Sequence, residues 1–189
     1  MTVYYRYLAS PLGELLLTSD GSSLTGLYME DHKHGPSGPS ALSAGVAPQR
    51  PSGAQQEPPI RGSKAGYKEG WIDDADAIPF PETVKQLNLY FSKKLTAFDL
   101  PIKLAGTAFQ EMVWRKLCDI PYGTVISYSE LARRINNPKA FRAVGLANGK
   151  NSISIIVPCH RVIGASGALT GYGGGLNRKS ALLQLEKSG

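Results

Sequence analysis

Only two of the 189 residues are cysteine, Cys118 and Cys159. Two cysteines cannot build a disulfide framework, and free thiols fit a reducing, intracellular compartment. No apolar run approaches the roughly 20 residues that cross a bilayer, so no membrane span is expected. The N-terminus lacks a basic segment leading into an apolar one, so no secretory signal is expected either. The compartment implied is the cytoplasm, or the nucleus in a eukaryote. Histidine is scarce, and His32 and His34 have no cysteine companions, so they are not read as a metal site. Acidic residues are scarce in the second half. Residues 106–189 hold 11 Lys/Arg against 4 Asp/Glu, a net of +7, while residues 1–105 hold 10 against 11, a net of −1; together these give +6. A basic excess confined to one half is the footprint of a polyanion-binding domain, most naturally one for nucleic acid. A solvated basic face without a partner would have the same composition.

Residues 3–9, 13–19 and 24–30 read as short strands, rich in Val, Tyr and Leu and parted by the turn signals Pro11-Leu12-Gly13 and Asp20-Gly21. An antiparallel meander is their simple assembly. From about 32 to 68 the pattern vanishes into Gly, Pro, Ser, Ala and Gln, with too little apolar surface to offset the entropy of ordering. This segment is expected to be a mobile, tolerated insertion. Order returns at Trp71. After Pro81, residues Val84, Leu87 and Phe91, with Tyr90 beside them, predict a helix over 82–94, and 98–104 reads as one more short strand. The domain boundary falls near Ala105-Gly106, dividing the chain into 1–105 and 106–189.

Thr107 is a predicted N-cap for a helix carrying Phe109, Met112, Val113, Trp114 and Leu117, and ending before Pro121-Tyr122-Gly123. Cys118 is read as a core residue of that helix. Residues 127–150 carry a helix–turn–helix pattern. Its first helix is 129–135, capped by Ser127 or Ser129, and Asn136-Asn137 forms the turn. Pro138 opens the second helix, where its missing N–H costs nothing, and Gly149 ends it. Ala140, Ala143, Gly145 and Ala147 make this second helix small-sided, with Arg142 among them. Small side chains read few base edges but permit close approach, so a minor-groove fit with Arg142 inserted explains both facts. Tight packing of the helix on the protein's own core is the other reading of the pattern.

The sharpest chemical signal is Pro158-Cys159-His160-Arg161-Val162. The apolar run Ile153-Ser154-Ile155-Ile156-Val157 before it reads as a buried strand or an extended entry to the site. Proline stiffens the corner that presents Cys159. A thiol reacts as thiolate, and an adjacent imidazole is one way to lower its pKa. Gly164-Ala165-Ser166-Gly167 reads as a tight hairpin. The glycine run Gly173-Gly174-Gly175 would let backbone approach a flat ligand, or form only a wing-like loop. A terminal helix spans 177–187 with Leu182, Leu183 and Leu185 inward. Glu186 lies near its C-terminal end, where the helix dipole disfavours a carboxylate, so it is expected to have another task, such as orienting His160.

Together these motifs resemble the O6-alkylguanine-DNA alkyltransferase family, also called methylated-DNA–protein-cysteine methyltransferases. The likeness is carried by Pro121-Tyr122-Gly123-Thr124-Val125-Ile126-Ser127-Tyr128, by Asn137-Pro138-Lys139-Ala140, by Arg142-Ala143-Val144-Gly145, and by 158–164 with Asn151 upstream. Ser10-Pro11-Leu12-Gly13 and Leu24-Thr25-Gly26-Leu27 fit the family's first domain more loosely, and the insertion matches no family feature. The resemblance implies an α+β protein, with a ribonuclease H-like N-terminal domain of antiparallel strands followed by a winged helix–turn–helix domain. It implies a monomer that binds duplex DNA containing alkylated guanine, flips the base through the minor groove and moves the alkyl group irreversibly to Cys159. O4-alkylthymine is a second candidate lesion. No cofactor and no zinc are implied, because this chain has no cysteine before Cys118.

By the same resemblance, His160 deprotonates Cys159 through a water, Glu186 orients His160, and Asn151 braces the turn before the active-site segment. Arg142 fills the gap left by the flipped base, with Ala140, Ala143 and Gly145 against the DNA. Tyr128 gives its hydroxyl to the purine ring. Tyr172, Gly173, Val162 and Lys179 form the pocket, with the carbonyls of Cys159 and Val162 accepting from the guanine amino group. Gly173 stands where some relatives have Ser, which implies a looser loop and a wider pocket for bulky alkyl groups. A noncatalytic lesion-binding protein of the same fold is the alternative; relatives of that kind replace the acceptor cysteine.

Overall fold

The computed structural model describes residues 2–30, 32–36 and 70–187. The expected insertion falls almost wholly outside the described residues. Strands β1 (Val3–Ser10), β2 (Gly13–Ser19) and β3 (Leu24–Met29) form the antiparallel meander, and β4 (Trp71–Asp73) joins β1 in parallel, giving the order β3-β2-β1-β4. Gly13 takes φ +100°, the left-handed region a side chain resists, which lets Ser10 pair with Gly13 across a tight turn. Leu15, Leu17, Leu24 and Leu27 are fully buried, against Phe80, Leu87 and Tyr90 of α1 (Phe80–Phe91). The short β4 escapes a pattern reading because three residues are too few to show alternation.

The expected strand at 98–104 reduces to a single bridge between Ile102 and Leu24. Leu24 donates to Pro101 O at 2.8 Å and Lys103 donates to Leu24 O at 2.9 Å. Pro101 has no N–H to extend the ladder.

In the second half, α2 (Ala108–Cys118) starts on the expected cap. Thr107 accepts from Gln110 N at 3.3 Å, and Gln110 Oε1 accepts from Thr107 N at 2.9 Å, so two orphan amides are satisfied reciprocally. Its buried stripe is Val113, Trp114 and Leu117. Cys118 is exposed, contrary to the core assignment, because one helical step of about 100° beyond Leu117 turns it out of that stripe. Met112 is exposed as well. Ser127, not Ser129, caps α3 (Tyr128–Arg134), accepting from Glu130 N at 3.1 Å. Asn136 makes the turn at φ +56°. Pro138 opens a single 3-10 turn, Pro138–Ala140, before α4 (Phe141–Gly149). Gly149 is the last helical residue rather than a left-handed cap, and the chain leaves through Lys150 at φ −93°. The indole of Trp114 donates to Ala147 O at 2.8 Å and fixes α4 on α2. A two-residue parallel pair, β5 (Ile126–Ser127) with β6 (Val162–Ile163), and the last helix α5 (Leu176–Lys187) close this half.

One hydrophobic core runs through both halves. The exposed edge of β3 is capped by chain rather than by another strand. Leu27 donates to Ser152 O at 2.8 Å, and Ser154 donates to Leu27 O at 3.0 Å. The backbone leading to Cys159 is thereby stitched to the N-terminal sheet. Among the described residues no helix is long and apolar enough to cross a membrane.

Candidate active site and nucleic-acid interface

The run 153–157 is not a strand. Ser154, Ile155 and Ile156 form a turn, Val157 donates back to Ile153 O at 3.0 Å, and Ile155 sits at φ +70°. All four apolar residues of the run are buried, so the sequence signalled burial, and burial alone does not specify a strand. A β-branched residue at positive φ is strained, and such strain persists only where the surroundings over-determine it. Here Asn151 does so. Its Oδ1 accepts from Ile153 N at 2.9 Å, while its Nδ2 reaches Val157 O at 2.9 Å, Ile153 O at 3.3 Å and Cys159 Sγ at 3.1 Å. The expected brace is therefore also a direct donor to the sulfur.

Cys159 lies on a one-turn 3-10 helix, Cys159–Arg161, and is 3% exposed. Burial pushes its thiol up to about 11, against the lowering influence of the Asn151 hydrogen bond and of Lys179. The resting group is a neutral thiol, and the adjacent imidazole makes no direct hydrogen bond to it. The reason is geometric: the His160 ring points away, to Glu186, with Nε2 2.8 Å from Oε1. Facing a carboxylate, Nε2 carries the ring proton, which leaves Nδ1 with the lone pair. Nδ1 is buried and has no hydrogen-bond partner among the described residues. Burial lowers the His160 pKa, with Glu186 working against that, so the ring is a neutral base awaiting a proton.

Glu186 does more than orient His160. Its Oε1 accepts from His160, from Tyr90 O–H at 2.7 Å and from Arg161 Nη2 at 3.0 Å; its Oε2 accepts from Arg161 Nε at 2.9 Å and from Gly123 N at 3.1 Å. Burial would raise its pKa, but the hydrogen bonds from His160 and Arg161 outweigh that and hold it well below the ordinary carboxylate range. Arg161 Nη1 also donates to Ile120 O at 2.6 Å. Sequence reasoning missed Arg161 and Tyr90. Arg161 stood inside the motif beside the cysteine; Tyr90 is 96 positions from its partner and gave no signal.

Tyr128 and Lys179 converge on one carbonyl. Tyr128 O–H donates to Thr170 O at 2.9 Å, and Lys179 Nζ donates to Thr170 O and to Val162 O, each at 2.6 Å. Lys179 is buried, and burial brings its ammonium down to about 8, opposed by the nearby Cys159. The carbonyl of Cys159 already accepts from Val162 N and, at 3.3 Å, from Asn148 Nδ2. Val162 O, the other carbonyl expected to face a guanine amino group, accepts from Lys179. Tyr172 is buried, with its hydroxyl 3.7 Å from Met29 Sδ. The space beside Gly173 is also filled: a Cβ there would fall 2.6 Å from two atoms of the His32 ring. The absent side chain does not widen the pocket.

The residues of α4 and of the turn before it divide between two faces. Val144 and Ala147 are buried, Ala140 and Gly145 are half-buried, and Arg142 and Ala143 are exposed. Close packing and an open small-sided face thus coexist on one helix. All four acids of the basic half are paired: Glu111 with Arg115, Asp119 with Lys116, Glu130 with Arg133 and Arg134, Glu186 with Arg161. Of the cations of this half without an acidic partner in a salt bridge among the described residues, exposed Lys139, Arg142 and Lys150 lie on and around the same helix, while Lys187 is exposed on α5 and Lys179 is buried. Among the described residues no group of three His, Cys, Asp or Glu could hold a metal ion.

Two family models cover nearly all of this architecture. The DNA-binding domain of 6-O-methylguanine DNA methyltransferase matches residues 108–188, and the ribonuclease-like domain of the same family matches 3–104. The chain belongs to the 6-O-methylguanine DNA methyltransferase family. A methylated-DNA–protein-cysteine methyltransferase of Mycobacterium tuberculosis is 47% identical over 98% of this chain and 93% of its own length. One of Methanosarcina mazei is 41% identical over 98% of each. A crystal structure of M. tuberculosis OGT in complex with DNA superposes with a TM-score of 0.76 at 47% identity, covering 98% of this chain and 93% of that one. The α+β architecture is that of this family.

Proposed function

We propose that the protein repairs DNA by direct reversal, moving the alkyl group of O6-alkylguanine in a duplex onto Cys159 in a single turnover. The observation that carries this reading is a buried sulfur, 3.1 Å from a donor amide, next to a histidine whose outer nitrogen is locked on a buried carboxylate and whose inner nitrogen is unpartnered. The thiol proton passes through a water to His160 Nδ1. The imidazolium formed is stabilised by Glu186, already ionised. Sulfur attacks the alkyl carbon, the carbon–O6 bond breaks, and its electrons enter the guanine. Tyr128 turns its O–H from Thr170 O to the purine ring and hydrogen-bonds the developing negative charge, and the base becomes neutral when the proton held at His160 Nδ1 returns to it through water. Protons and electrons balance with no cofactor. The product is a thioether, which water does not cleave, so each molecule acts once.

Lys139, Arg142 and Lys150 supply the phosphate-facing charge, and Arg142 enters the stack as the lesion base flips out. In this reading residues 106–189 carry the DNA and the acceptor, while 1–105 hold the acceptor segment from behind. The acting form is a monomer in a reducing compartment such as the cytoplasm, because every group named comes from one chain and Cys159 must stay a thiol. The intact cysteine weighs against the noncatalytic lesion-binding alternative.

The test is intact mass after incubation with a duplex containing one O6-methylguanine. The expected result is a gain of one methylene per protein, located on the Cys159 peptide. Unchanged mass with tight lesion binding would favour the noncatalytic reading. Arg142→Ala is expected to slow transfer from duplex at least about tenfold, since unstacking a base costs a few kcal/mol. Transfer from the free modified base, which needs no flipping, should be unchanged. Single-turnover rates on the two substrates check this.

A further inference from the structure

We infer that His32, from the N-terminal half, is a positioning residue for the transfer step, holding the 171–175 loop against the Cys159 segment by filling the side-chain space of Gly173. The inference rests on the alkyl-transfer reading above and adds a residue to it. A Cβ at Gly173 would lie 2.6 Å from both Cε1 and Nε2 of the His32 ring and 3.3 Å from Gly149 O. Ring and glycine therefore fit only as a pair. The next residue secures the contact, since Lys33 N donates to Gly173 O at 2.9 Å.

The ring is fixed on its other sides. The edge of Tyr28 meets it at 5.6 Å and 78°. His34 N donates to Nδ1 at 3.3 Å, which assigns the proton to Nε2 and turns that N–H toward Ser154 Oγ, 3.4 Å away. Ser154 is fully buried, beside the strained Ile155. Its hydroxyl bonds to Tyr172. One short segment after β3 thus touches the site through Ser154 and through Gly173. Burial, then the charges of His34 and Arg178, bring His32 down to about 4, so it stays neutral at physiological pH and serves as a fixed spacer rather than a switch.

The experiment measures single-turnover methyl transfer, lesion-duplex affinity and thermal midpoint for Gly173→Ser, His32→Ala, the double variant and His32→Gln. Gly173→Ser is expected to slow transfer about tenfold, and adding His32→Ala should recover the rate to within about threefold of the unsubstituted protein, because contacting sites couple strongly. His32→Ala alone should slow transfer with duplex affinity unchanged. His32→Gln, which can place an amide N–H near Ser154, should recover most of the loss. A bare fold role would not separate rate from affinity in this way. Wild-type transfer by Gly173→Ser, or a double variant no faster than Gly173→Ser, overturns the inference. If no form transfers, the functional reading fails instead, and the midpoints decide the contact: recovery in the double variant supports it and additive losses overturn it.

Discussion

Glu186→Gln should lower unfolding stability by about 3–5 kcal/mol, the usual consequence of leaving a buried charge without its partner. The side chain is 1% exposed and accepts from five donors, among them both Arg161 contacts. An amide of the same shape must point its NH2 at donors, and it leaves the Arg161 guanidinium uncompensated. The effect has a defined pH signature. The folded pKa of Glu186 lies below its ordinary value of 4.5, so its contribution is complete above that pH and is lost as pH falls through and below it. Urea unfolding of the substituted protein should therefore show a large loss at pH 7 and a smaller one in acid. Equal losses at both pH values would show that the carboxylate's charge is not what matters. Transfer should slow as well, because an amide at this position fixes neither the His160 tautomer nor its protonated form.

Cys159→Ala should abolish the mass gain on alkylated duplex while lesion affinity stays within about threefold, since the sulfur is buried and the cations proposed to meet DNA are exposed on and around α4, away from it in sequence. The stability cost should be about 1 kcal/mol, that of a small buried group and one weak hydrogen bond from Asn151. Mass spectrometry and a binding titration on the same duplex check both halves. Residual alkylation would place the acceptor elsewhere, with exposed Cys118 the only other thiol.

What could be read before the fold was known follows from how local each cause is. Thr107 and Ser127 announce their helices because a cap is decided within three residues, and β1 to β3 show themselves through turn residues and alternation. Glu186 was legible because it contradicts the dipole of its own helix. Where causes are long-range, the sequence was silent or misleading. The run 153–157 is buried by β3 and held by Asn151, so its apolar character suggested a strand where there is a turn. The raised pKa of Cys159 comes from burial by the whole site, and adjacency to His160 in sequence did not mean contact between the side chains. Tyr90 and His32 act across the join of the two halves, where nothing in their neighbourhoods marks them.

Glu186 belongs to α5, 27 positions after Cys159, and the groups it gathers come from α1, the Gly123 turn and the 3-10 helix of the nucleophile. One carboxylate therefore clasps segments that lie far apart in the chain, and loss of α5 would release all of them at once. A prematurely ended chain short of α5 carries the nucleophile with an untethered base. The helix α5 is thus the clasp of the cluster, set apart in sequence from the thiol it serves.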